Sequence, residues 1–581
     1  MDINGLLTFA GLIVAAYSLL SPVQRRELSL RLNWVDWMVV LLSIVGIHYL
    51  MFYDSDPLAI QKAFSLGWEA RQRGEYAYWV LFAGTMFVWL RIRFFALQGA
   101  DIGKLYSLAE ELLNAGKYSE LASLMDYHFD RLVKIHKAKE WKVQAKRIIE
   151  VAVLPDKHIK RYMLWPNKKS LLGNKLRSYL YPRLKPIIRR LPDESAATLA
   201  VEELFTYVFL RKPFAIEISK VHPYFALKLF SLPNVRTEMF LEAYFEALLQ
   251  NKHSILYFEI RNCQTLAPGP VHRYLVETSN KLLFSSLSNL QIAQDIKIYR
   301  LLSEPILSKL TWLHKHPEED DYNSEPENTD ELILESEIAL AIRFFDIMVL
   351  EAINQDYEWH MWLYYFRHFT DGICKNYRPV AKYVDLEAEF PTKYSYLLYE
   401  IISTLCGWVR TIEDLPAAQK NTVLKNLRPD TENGNPIKCS ILCLAQCLRT
   451  VLITASIPKK FKDYLTGCVV NLYFDLAKNQ KCEKYAEVLF NSLNTPRLYD
   501  QSYDSVYFGH LISGIINNDN IPHMFGEGHE RVEAFVKHFG RKYLDEYGPA
   551  ELEQYVPVVK NDAQIFVEGQ GRSPRGYLIS P

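Results

Sequence analysis

Three stretches in the first hundred residues almost lack charge, and they limit what this chain can fold into more than anything that follows. From Ile3 to Gln24 there are 22 residues without Asp, Glu, Lys or Arg, with LLTFAGLIVAAYSLL at their centre. A second run, Trp37 to Tyr53, reads WMVVLLSIVGIHYLMFY. A third, Tyr76 to Leu90, reads YAYWVLFAGTMFVWL and continues past Arg91 and Arg93 into Phe94, Phe95, Ala96 and Leu97. A helix crosses the ~30 Å hydrocarbon core of a bilayer with about 20 mostly apolar residues. The first run reaches that length and the second nearly does. The third reaches it when its two arginines extend toward water at the helix end. Trp34, Trp37, Tyr53, Tyr76, Tyr78 and Trp79 stand at the edges of the runs, as an interfacial aromatic belt would. MDING has no base ahead of the first run and SLLSP is a poor cleavage site, which argues against a removed signal peptide. The expectation is a membrane domain over residues 1–98, with three transmembrane helices at about 4–22, 35–53 and 76–95.

Lys and Arg placement then sets orientation. Arg25, Arg26 and Arg31 follow the first run, and Arg91, Arg93 and Lys104 follow the third, so both segments belong on the cytoplasmic side. This predicts a multi-pass protein of the cell inner membrane with its N-terminus outside and its C-terminal region in the cytoplasm. All eight cysteines fall at or after Cys263, mostly in apolar surroundings, as reduced core thiols do.

Beyond residue 98 the pattern is mainly α. Residues 99–192 read as a helical juxtamembrane region. It opens with LYSLAEELLNAGKYSELASLMDYHFDRLV, where apolar residues at helical spacing flank a turn whose Gly stops the first helix. Over about thirty residues this hairpin resembles one unit of a tetratricopeptide-type repeat. No second copy recurs at a fixed period, so it is taken as a generic helical hairpin. Residues 193–314 are expected to form a small α+β unit, because PFAIEISKV and SILYFEIRNC are short, β-branched and aromatic. An acidic linker over 315–336 follows. EEDDYNSEPENTDELILESE (318–337) holds ten acids and no base, with Thr329 or Asp330 as the expected helix cap. It lacks the alternating ligands and central Gly of a calcium loop. Residues 337–565 read as an all-α domain with 3.6-residue patterning, and 566–581 as a flexible tail.

Few residues offer chemistry. Cys439, Cys443 and Cys447 recur every four positions along one helix face, but leucines crowd them and no CxxC pair accompanies them, which favours core thiols over a metal. His360, His368 and His529 belong to no metal-ligand motif, and neither a phosphate-cradling loop nor a nucleophile elbow occurs. Glu217, Glu259 and Arg261 are the weak exceptions. YFEIRNCQ resembles the E-x-K half of a restriction-endonuclease-type nuclease site, where carboxylates hold a metal and a lysine aids the attacking water. Arg261 replaces that lysine, and no aspartate lies between Asp193 and Asp295 to complete the ligand set. An enzyme is therefore the lesser expectation, with no metal or cofactor.

The strongest charge feature is the block 131–190, which holds 18 Lys and Arg against Glu140, Glu150 and Asp156, a net of +15 in a chain whose total is zero. Its densest part carries Lys168, Lys169, Lys175, Arg177, Arg183, Lys185, Arg189 and Arg190 with interleaved Leu, Ile and Tyr. Next to a cytoplasmic membrane face, such a segment fits anionic inner-leaflet lipid. The resulting expectation is a membrane-anchored interaction or sensing protein, suited to signalling or stress defence, whose helical region recognises a protein partner. The alternative is a membrane-tethered protein that binds nucleic acid or cleaves it with a metal.

Overall fold

The computed structural model describes residues 34–52, 73–94, 101–137, 196–230, 235–265, 273–326, 336–355, 363–379, 384–413, 436–480, 482–494, 504–517, 527–561, 564–569 and 576–579, with isolated residues elsewhere, Tyr179 and Arg183 among them. These are mostly helical, and the chain divides into two compact units, 1–228 with 234–240 and 229–233 with 241–581.

The first unit begins with two apolar helices, α1 (Trp34–Phe52) and α2 (Arg73–Phe94), which run along each other and bury Ile47, Leu50 and Ala77 between them. The first apolar run, 4–22, lies almost wholly outside the described residues. Next come α3 (Ile102–Asn114) and α4 (Tyr118–Lys137), the expected hairpin. Its turn is a Schellman motif: Gly116, at φ +67°, donates to the Leu113 carbonyl at 3.1 Å, and Lys117 N–H donates to Leu112 at 2.9 Å. Helices α5 (Ala196–Phe209) and α6 (Lys212–Val221) pack onto α4. The short α7 (Phe225–Leu229) closes an aromatic core in which Phe129, Phe205, Phe209 and Phe225 have centroids 5.3–6.2 Å apart.

Helix α8 (Val235–Gln250) belongs to the second unit from Leu241 onward. There follow α9 (Ile255–Cys263), a two-residue ladder of β1 (Gln264–Thr265) with β2 (Arg273–Tyr274), α10 (Lys281–Leu287), α11 (Leu290–Asp295) and α12 (Ile298–Lys315). A longer series completes the array: α13 (Glu337–Asn354), α14 (Tyr364–Asn376), α15 (Lys393–Arg410), α16 (Pro436–Ile453), α17 (Lys459–Lys478), α18 (Glu483–Asn494), α19 (Asp504–Ile516) and α20 (Glu527–Tyr547). From α12 to α18 most helices touch the next and the next but one, the connectivity of stacked helical hairpins. Each hairpin leaves an apolar face that its neighbour covers, so the core is continuous along the stack. Trp408, Phe366 and Phe345 form its aromatic centre, with Trp408 and Phe366 centroids 4.9 Å apart.

Three expectations are corrected. Both supposed strands of the 193–314 unit are helices, α6 and α9, so among the described residues no strand occurs there beyond the short β1–β2 ladder. Burial of Phe214, Ala215, Ile218 and Ser219, and of Leu256, Tyr257, Ile260 and Cys263, follows a helical period, and it overrides the β-branched composition. Nor are the described residues of the tail loose. Strands β3 (Val558–Asn561), β4 (Gln564–Glu568) and β5 (Gly576–Leu578) form an antiparallel sheet, with Tyr577 and Ile579 buried. Finally, part of the acidic linker is pinned rather than solvated. Asp320 accepts from Tyr322 N–H and Tyr394 OH, each at 3.1 Å, Lys393 pairs with Asp321, and Glu325 accepts from Asp385 N–H at 2.7 Å. Residues 327–335, with Thr329 and Asp330, lie outside the described residues; the cap of α13 is Ser336, whose Oγ accepts from Ala339 N–H.

Candidate functional site

Two features of the fold stand out, one in each unit, and neither resembles an active site. The first is the outward surface of the α1/α2 pair. Only a narrow seam is covered, so Trp37, Leu42, Ile44, Trp79, Phe87 and Trp89 remain exposed at 42% or more. A patch this size is unusual on a protein surrounded only by water. At one end of the pair Asp36, 1% exposed, accepts from Arg91 Nη1 at 2.6 Å. Arg91 does not simply extend toward water with Arg93; its charge is matched by the first turn of α1. Asp36 was the missed residue, and its position at the head of an apolar run is the signal that marks it. Between the two helices Gly84 faces Ser43, so that a side chain added there would meet the Ser43 hydroxyl.

The second feature is a cleft of about 870 Å³ between α8 and α12, closed at one side by the start of α13. Four glutamates line it, Glu242, Glu246, Glu304 and Glu337, against Arg300 and Lys309. Lys309 Nζ lies 3.1 Å from Glu337, and Glu304 accepts from Tyr365 OH at 3.1 Å. Trp312 forms an exposed wall, stacked on His316 at 4.5 Å.

The nuclease expectation is not supported by the local geometry. Glu217 is half-buried on α6, and Glu259 and Arg261 sit on α9 rather than on strands. Glu259 is 1% exposed, and its two oxygens accept from Leu282 and Leu283 N–H at 3.1 and 2.9 Å, capping α10. That carboxylate is committed to a helix terminus. Of the eight basic residues in the densest segment, Arg183 is described, exposed and stacked over Tyr179 at 4.2 Å; the other seven lie outside the described residues. His360 does too, whereas His368 is exposed on α14.

The remaining titratable groups are core features. Cys443 and Cys447 are buried with Sγ atoms 3.9 Å apart, and their mutual contact and burial hold the Cys443 thiol well above its ordinary range. Among the described residues no group of three or more His, Cys, Asp or Glu is placed to hold a metal ion. A buried network joins Arg343 to Glu400 at 2.9 Å and to Tyr274 OH at 3.0 Å, while Trp408 Nε1 donates to Asp346 at 2.7 Å. Burial pushes Asp346 up to about 6 despite its cationic neighbour. In a second cluster, burial lowers Lys462 to about 8, and burial together with the neighbouring lysines takes His510, 3.1 Å away, to about 3. Lys462 is 2% exposed and so out of reach of a substrate.

No protein-family model matches the chain, and no curated protein or solved structure does either. Function therefore has to be argued from these two surfaces.

Proposed function

We propose that this is a membrane-anchored interaction protein, whose N-terminal helices lie in the bilayer and whose helical array recognises a protein partner. The observation that carries this reading is the uncovered apolar surface of the α1/α2 pair, with the charges of Asp36 and Arg91 neutralising each other at one end. A charge entering lipid is costly unless paired, and an antiparallel pair puts these two at the same depth. With the run 4–22 as a third span, the N-terminus lies outside and the block 131–190 faces the anionic inner leaflet of the cell membrane. There each Lys or Arg close to the surface contributes roughly 1 kcal/mol. Stacked hairpins offer an extended surface for a partner, and engaging it would shift the basic block against the leaflet, which suits a signalling or defence role.

Alkaline carbonate washing of membranes tests the anchor. The full chain is expected to stay in the pellet and to enter solution only with detergent; a chain released by carbonate alone overturns the reading. For the basic block, full-length protein in vesicles is treated with chymotrypsin. Cleavage after Tyr179 should be slow with anionic lipid and fast with neutral lipid, and equal rates remove the leaflet contact.

A further inference from the structure

We propose that the cleft between α8 and α12 binds a short basic stretch of a protein partner, with its Lys or Arg side chains held by glutamates and by Trp312. This rests on the partner-recognition part of the reading above and gives that partner its chemistry.

Charge is the first argument. Four glutamates face two bases, so the cleft carries a surplus of two negative charges. Lys309 pairs with Glu337 at 3.1 Å, and the surplus is carried by the rest of the lining, three glutamates against one arginine. Glu304 is held in place by the hydroxyl of Tyr365, so it need not be ordered when a cation arrives.

Shape is the second. The lining runs from Glu242 to Gln250 on α8 and from Arg300 to Trp312 on α12. At 1.5 Å per helical residue the longer wall is about 18 Å, the span of about five extended residues. A single metal ion or small amine would leave most of that length unused. The volume, about 870 Å³, lies within the usual range of ligand sites.

The third argument concerns what a peptide needs besides charge. Trp312 is 42% exposed and stacked on His316 on one side, a fixed aromatic surface for a guanidinium or the stem of a lysine. Carboxylates and an indole along one furrow match an arginine-bearing peptide better than a bare cation.

The test uses the full chain in neutral detergent micelles and a fluorescein-labelled Ala-Arg-Ala-Arg-Ala-Arg amide as probe. The probe is expected to bind and to weaken as salt rises. The double variant Glu242→Gln, Glu246→Gln and the single variant Trp312→Ala should each lose affinity by on the order of tenfold. A control double variant on the exposed face of α18, Glu483→Gln with Glu487→Gln, should bind as the parent does. Circular dichroism of every variant separates lost binding from lost folding, and the conservative Glu→Gln pair keeps the test valid should Trp312→Ala unfold. Equal affinity in cleft and control variants overturns the proposal. So does displacement of the probe by spermine at a concentration no higher than that of unlabelled peptide, which would mark a polyamine site. Because the cleft variants should remain in the pellet after carbonate washing, failure here is distinguishable from failure of the membrane anchor.

Discussion

Helices α1 and α16 are both rich in apolar residues, yet they are used in opposite ways. Among the described residues α16 (Pro436–Ile453) is the one helix long and apolar enough to cross a membrane, with mean hydropathy 1.5, but 72% of it is buried under α14, α15, α18 and α19. Helix α1 is 19 residues long and at least as apolar, and among the described residues it has one close neighbour, α2. Leu42, Ile44 and Val45 are 62, 58 and 57% exposed, whereas Leu444, Cys447 and Leu448 on α16 have no exposure. Apolar composition alone therefore does not separate these two helices. What distinguishes them is whether the rest of the chain supplies enough apolar surface to cover them.

Charge insertion separates the two most sharply. Leu444→Asp on α16 buries a carboxylate with no partner, and the second unit should lose cooperative unfolding, a cost above about 4 kcal/mol. Leu42→Asp on α1 points into the uncovered face and should leave the thermal transition of the second unit unchanged. It should reduce membrane retention instead, at an insertion cost of roughly 3 kcal/mol. If Leu42→Asp unfolded the protein, or Leu444→Asp were harmless, the contrast between the helices would be false. Next in size is the ion pair. Asp36→Leu removes the carboxylate paired with Arg91 and should cost about 3 kcal/mol, read as faster proteolysis of the α1/α2 pair in micelles. The exchange Asp36→Arg with Arg91→Asp should recover part of that loss.

The sequence made this contrast only half legible. Periodicity located α3, α4 and nearly every long helix of the second unit, because a helix covered on one side must repeat its apolar residues every 3.6 positions. It also suggested why the cysteines of α16 are inert. The helices α6 and α9 were misread because nine or ten residues rich in Ile, Phe and Val satisfy a strand and a helix pattern alike, and only their tertiary neighbours decide. The tail was misread because Gly and Pro around Tyr577 and Ile579 look like a loose end until β4 offers them a partner. Of the two candidate surfaces, the apolar pair was visible as hydropathy. The cleft was not, since its glutamates come from segments some sixty residues apart and each looks like an ordinary solvated helix face.

A covered interior also changes how acids titrate, which gives a smaller effect confined to the second unit. Asp346 is raised to about 6 by burial, and so is Asp463. Between about pH 4 and pH 6 the folded form then binds more protons than the unfolded one, so stability falls as pH rises and stays reduced above pH 6. Asp346→Asn keeps an oxygen for Trp408 Nε1 and removes this titration. Relative to the parent, the variant should gain about 2 kcal/mol between pH 4.5 and pH 7, measured as urea midpoints. A constant difference across that range would mean that Asp346 ionises normally.

The finest comparison is between two glycines at helix crossings. In the α1/α2 pair, a methyl group at Gly84 would meet the hydroxyl of Ser43, the movable end of a short side chain. In the second unit, a methyl group at Gly514 would lie 2.5 Å from Cβ of Thr466, and that atom moves only with the α17 backbone. Thr466 is fully buried, and its own hydroxyl is tied to the Lys462 carbonyl at 2.9 Å, so its rotamer cannot change cheaply. Gly514→Ala should therefore cost about 2 kcal/mol through overpacking, against a helix-propensity gain of about 1 kcal/mol that it shares with Gly84→Ala. At Gly84, rotation of the Ser43 side chain relieves the clash, and the propensity gain should leave the change near zero. Thermal melts of the two variants should differ in that order. If Gly84→Ala proved the more damaging, the crossing of α1 and α2 would be packed as rigidly as the interior of the second unit, and lipid would not be needed to explain how the pair is held.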